Sequence, residues 1–196
     1  MIKKICNYNA GMTYVELIVV LSIFSVMTSV VLFNYNEFQA KIDIKVLAND
    51  IALKIVEAQK SALSGKLPQI CIDVPGNCVD WKPSYGVYFK LVDDVHFTYF
   101  VNFDDDSYDD SDPSSDFILD LVSILKGNSI SGLEAVGCPE ITDLSIVFRR
   151  PDSSALITSD GSSLTSCLSY AQITVTSPQS ITANIKIYPS GRIQIN

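Results

Sequence analysis

The chain has 196 residues, 47% of them apolar and 18% charged, with a net charge of −8. That length accommodates one domain plus an anchor. The acidic balance argues against a general nucleic-acid binder, because phosphates would repel it, and against electrostatic coating of anionic lipid.

The first element is an apolar run from Met12 to Phe33. As a helix it spans about 33 Å, enough to cross a bilayer core. No small-residue cleavage site of a secretory signal follows it. The polar leader "MIKKICNYNAG" precedes it, and its lysines are expected to stay in the cytoplasm. Glu16 is the one acid in the run, and a carboxylate in a membrane helix costs roughly 2.5–3.5 kcal/mol without a partner. An interfacial, snorkelling acid is one explanation. A cationic partner on a neighbouring chain is the other, and such a buried pair would set the register between helices. Ser22, Ser25 and Ser29 share one helix face and would permit close helix approach.

No proline or glycine interrupts the chain from Met12 to Ser64. Beyond Phe33, Ile44, Leu47, Ala48, Ile51, Ile55, Ala58 and Ala62 recur at helical spacing, so the helix continues with one apolar face. Gly65 and Pro68 stop it. One helix of roughly 80 Å is expected, its second half laid on a sheet.

From residue 68 the pattern is strands. "YGVYFKLV" and "HFTYFVNF" are rich in aromatic and β-branched residues, with Asp93-Asp94 as the expected turn. "YAQITVT" and "ITANIKIY" alternate, placing Ala171, Ile173, Val175, Ala183, Ile185 and Ile187 inward. "PSGR" turns the chain into a closing hairpin. The expected fold class is α+β, a long N-terminal helix on antiparallel sheet.

Four cysteines follow the apolar run and allow three pairings. Local proximity favours Cys71–Cys78, which leaves Cys138–Cys167. The stretch "FDDDSYDDSDPSSDF" is rich in hard oxygen ligands, with Asp104, Asp106, Asp109 and Asp112 as weak calcium candidates. It lacks the glycine and closing glutamate of an EF-hand, and a solvated loop between strands is the favoured reading. His96 is the single histidine, at the head of a strand, and Trp81 reads as a core or edge residue. No nucleophile elbow, phosphate loop or zinc spacing occurs, so no catalysis is expected.

Gly11 followed by Met-Thr-Tyr-Val-Glu and a long apolar helix resembles the class III signal of type IV pilins and type II secretion pseudopilins. The resemblance implies cleavage by a prepilin peptidase between Gly11 and Met12, with N-methylation of Met12. It implies a role in subunit assembly for Glu16. The usual first mature residue is Phe, and Met12 stands there instead. "EAQKSALSGK", the stretch from Trp81 to Gly86 and "IYPSGRIQI" are similar in order to minor pilins and pseudopilins of the GspH/FimT group. Some of that group bind DNA through a basic tail. Here Ile193 and Gln194 follow Arg192, so nucleic acid is not an expected partner. The implied organisation is a leader at 1–11, a membrane helix at 12–33, its amphipathic continuation at 34–66 and an extracytoplasmic β-domain at 67–196. Partners would be other pilin or pseudopilin subunits, the peptidase and an assembly platform at the inner membrane. The alternative is a single-span anchored surface protein whose β-domain binds a ligand without polymerising.

Overall fold

The computed structural model describes residues 11–73, 84–103, 108 and 116–196. The chain divides into two units, residues 1–39 and 40–196, each considered by itself. Helix α1, Tyr14–Ser64, contributes to both.

In the second unit, the apolar stripe of α1 is buried as its spacing dictates. Ile44, Ala48, Ile51, Ile55, Ala58 and Ala62 are buried, and Leu47 is half-buried. Each such isoleucine contributes about 1.5–3 kcal/mol by leaving water. Lys41, Lys45, Glu57 and Lys60 stay exposed. The helix ends in a Schellman motif. Gly65 adopts φ 63°, its N–H donates to the Ala62 carbonyl, and the Lys66 N–H donates to the Ser61 carbonyl. A short helix α2, Gln69–Asp73, follows.

Ten strands follow among the described residues: β1 Ser84–Lys90, β2 Asp93–Asn102, β3 Asp116–Ser123, β4 Ser129–Val136, β5 Asp143–Arg149, β6 Ala155–Ser159, β7 Ser162–Ser163, β8 Tyr170–Thr176, β9 Thr182–Ile187 and β10 Ile193–Ile195. They form two antiparallel sheets, ordered β3-β2-β1-β5-β6-β7 and β10-β9-β8-β4. The α+β class is as expected, but two sheets rather than one meet the helix stripe in a single apolar core. The β8–β9–β10 end follows the alternation in the sequence. Ala171, Ile173, Val175, Ala183, Ile185 and Ile187 are buried, and "PSGR" closes the β9–β10 hairpin through Gly191 at φ 80°. Only glycine fits there: an added Cβ would lie 2.2 Å from the Ser153 carbonyl oxygen. The same crowding brings Gln59 of α1 within reach, and its amide donates to that carbonyl at 3.0 Å.

The expected turn at Asp93-Asp94 is displaced. Leu91 and Val92 make the turn, and both aspartates belong to β2. The register breaks between Phe89 and Lys90, so Lys90 pairs with Asp93 and the hairpin closes earlier than a regular ladder would. Asp93 then serves within the strand, where its Oδ1 lies 2.8 Å from His96 Nδ1.

Tyr85 ties β1 to the helix end. Its side chain is buried, its ring stacks on Tyr99, and its hydroxyl donates to the Lys66 carbonyl. Burial, reinforced by Tyr99, pushes the Tyr85 hydroxyl up to about 12. The folded state therefore holds this proton above pH 10 while the unfolded chain loses it. Stability is fully present below pH 10 and falls as pH rises towards 12, by up to about 1.4 kcal/mol per unit. Tyr85→Phe should flatten that fall in denaturant titrations between pH 9 and 11.5. An unchanged slope would remove Tyr85 as its cause.

Cys138 and Cys167 are joined, just beyond β4 and just before β8, with Cα atoms 5.2 Å apart. This is the expected second pair, placed in the flanking turns rather than within the strands. Closing a loop of 29 residues stabilises the fold by about 3–4 kcal/mol in the chain-entropy account. Cys138→Ser should lower unfolding free energy by roughly 2–4 kcal/mol. Reductant should have little further effect through this pair. Denaturant curves with and without reductant read both. Cys71 is buried and disulfide-bonded. Cys78 and Trp81 lie outside the described residues.

Candidate functional site

The N-terminal part of α1 is the one element among the described residues that is long and apolar enough to cross a membrane. Its most apolar window has no part buried. Leu17 to Leu32 present their side chains outward all round the helix. A helix that is apolar on every face satisfies its own backbone and leaves only its side chains to be solvated, which suits lipid or the packed centre of a helix bundle.

The helix starts at Tyr14, two residues after Met12. Thr13 is its N-cap: the Thr13 hydroxyl accepts the Glu16 N–H at 3.3 Å, and its carbonyl accepts the Leu17 N–H at 3.2 Å. "TYVE" therefore carries the sequence form of a capping box, with Glu16 at the third helical position. Only half of the box is formed, because the Glu16 carboxylate makes no bond back to Thr13. Among the described residues this carboxylate has no ion-pair partner, and it stands exposed in the first turn. The positive end of the helix dipole favours an anion there. Gly11 is exposed and outside regular secondary structure ahead of the cap, with no described residue within 4 Å of an added Cβ.

Gly11, Met12 and Glu16 are thus neighbours at the exposed start of the apolar helix. The serine face is exposed too, and the Ser22 hydroxyl is turned back on the Val19 carbonyl at 2.8 Å. Sequence reasoning missed the role of Thr13, although a threonine three residues before a glutamate and directly before an apolar run is its signal.

The other sequence candidates are scattered. Asp104, Asp106, Asp109 and Asp112 lie outside the described residues. No group of three or more metal-ligating side chains converges among those described. His96 pairs with Asp93 on β2, beside a cleft of about 340 Å³ that Tyr88 and Tyr108 help to line. No protein-family model, curated protein or solved structure matches the chain.

Proposed function

We propose that this chain is a minor pilin or pseudopilin, a structural subunit of a type IV pilus or type II secretion pseudopilus. One observation carries the reading. A glycine stands just ahead of a capped, membrane-length apolar helix whose most apolar window has no part buried, with a single unpaired carboxylate in its first turn. A membrane anchor alone needs neither the glycine nor the acid. A subunit that is trimmed at its N-terminus and then packed among like helices needs both.

In this reading the leader through Gly11 stays in the cytoplasm and a prepilin peptidase cuts before Met12. The new amine is methylated, and the β-domain lies outside the inner membrane. The helix then leaves lipid for the filament core, where a neighbour's amine meets Glu16. Catalysis has no part in this; the chain is the substrate of the peptidase.

The test is an intact mass on membrane-extracted protein co-expressed with a prepilin peptidase. The expected mass lacks residues 1–11 and carries one methyl group. Full retention of the leader beside an active peptidase rejects the reading in favour of a single-span anchor displaying a ligand-binding β-domain.

A further inference from the structure

Strand β3 is an edge strand, and no described strand pairs its other side. An unpaired edge offers a row of N–H and C=O groups to any extended chain, so folded proteins usually blunt it with lysine, proline or a covering element. The sequence of β3, "DFILDLVS", has neither lysine nor proline. A bulge at its middle, opposite Tyr99 and Phe100, turns Leu119 towards the core but leaves Ile118 and Leu121 outward. These two are 47% and 55% exposed, and Leu125 just beyond the strand is 71% exposed.

The two faces flanking this edge differ in chemistry. On the face away from α1, Ile118 and Leu121 border the cleft of about 340 Å³, whose walls include Tyr88, Tyr108 and Val92. On the α1 side, a smaller groove of about 190 Å³ runs between the helix and the end of β3, floored by Leu47, Phe97 and Val122. That side is acidic. Asp43 is bridged to Lys126 at 2.7 Å, and Asp120 and Glu57 share Lys54 at 3.1 and 3.3 Å. Asp50 lines the groove, exposed, with no ion-pair partner among the described residues.

We propose that β3 is a docking edge for an extended segment of a different protein, in which apolar and basic residues alternate. Backbone groups of the segment extend the six-stranded sheet. Its side chains then fall on opposite faces in turn. One set covers Ile118 and Leu121; the other lies along the acidic groove, with a cation at Asp50. A side chain of lysine or arginine size, its stem on Leu47 and Leu125, suits that groove. A second copy of this chain suits it poorly, because a net charge of −8 brings like-charged faces together. The proposal stands whether or not the chain polymerises as a pilin, and peptide binding is read independently of leader cleavage.

The test uses the full chain in a nonionic detergent and a fluorescent peptide, acetyl-KVKVKVK-amide, followed by anisotropy. Saturable binding is expected, weakened about tenfold by Asp50→Lys and about tenfold by Leu121→Lys. A peptide with glutamate in place of lysine should not bind. The lysine peptide N-methylated at alternate amides should also fail, and that arm requires no variant to fold. A cooperative denaturant transition with the midpoint of the unaltered chain confirms that each variant is folded. Equal binding of the N-methylated or glutamate peptide would overturn the proposal, as would indifference to both substitutions. Disulfide-linked homodimers of Leu121→Cys that exclude the peptide would assign the edge to a second copy and also overturn it.

Discussion

A precursor carrying Gly11→Val is expected to reach the membrane and remain uncut. The effect should be close to all-or-none, whereas the wild-type chain is expected to lose its leader. The structure makes this a clean experiment. Gly11 is exposed and outside regular secondary structure ahead of the helix, and an added Cβ meets no described residue within 4 Å. The cap at Thr13 and the helix from Tyr14 are untouched. Any loss of processing therefore reports the peptidase's need for a residue without a side chain, not a damaged substrate. Gly11→Ala, adding one methyl, should be cut slowly. Immunoblots of membrane fractions, with and without co-expressed peptidase, separate precursor from mature chain. Normal trimming of Gly11→Val would remove Gly11 as the recognition element and, with it, the main support for a pilin-type signal.

The sequence was legible where one face of an element meets water and the other meets the core. The α1 stripe from Ile44 to Ala62 and the alternating residues of β8 and β9 are such cases, and each buries as its period demands. Strand β5 was not legible, because its sheet is covered on both faces. In "DLSIVFR" Leu144, Ser145, Ile146, Val147 and Phe148 are all buried, so no alternation survives. Strand β3 failed for the opposite reason, with apolar side chains exposed on both faces. Strand β4 reads poorly because Gly132 falls at its bulge and breaks the period. Aspartates are common in turns, which made Asp93-Asp94 attractive; the ladder instead recruits them into β2 and leaves the turn to Leu91 and Val92, residues with no turn signature. At the candidate site, Gly11 and Glu16 stand out in the sequence because an apolar run surrounds or follows them. What sequence reading lacked was the reason the helix begins at Tyr14, which lies in the hydroxyl of Thr13.

That cap sharpens the test of Glu16. A glutamate at the third position of a helix has a local reason to exist, completing a capping box and meeting the positive end of the dipole. It also has the proposed intermolecular reason, a cationic partner in the assembled filament. Glu16→Gln separates the two. Glutamine serves a capping box as glutamate does and leaves the Thr13 hydroxyl bond intact. Insertion should be unchanged or improved, because a neutral side chain is cheaper in lipid. Cleavage before Met12 should persist. Incorporation beside the other subunits should fall about tenfold to hundredfold, the effect of losing a charge-assisted hydrogen bond of roughly 1.5–3 kcal/mol where water is excluded. Thr13→Ala is the converse control: it removes the cap at a cost of about 1 kcal/mol but keeps the charge, so assembly should survive. Crosslinking to partner subunits, read beside membrane fractionation of the same variants, measures both. If Glu16→Gln assembles normally while Thr13→Ala does not, Glu16 is a helix-start residue and the intermolecular pairing has to be abandoned.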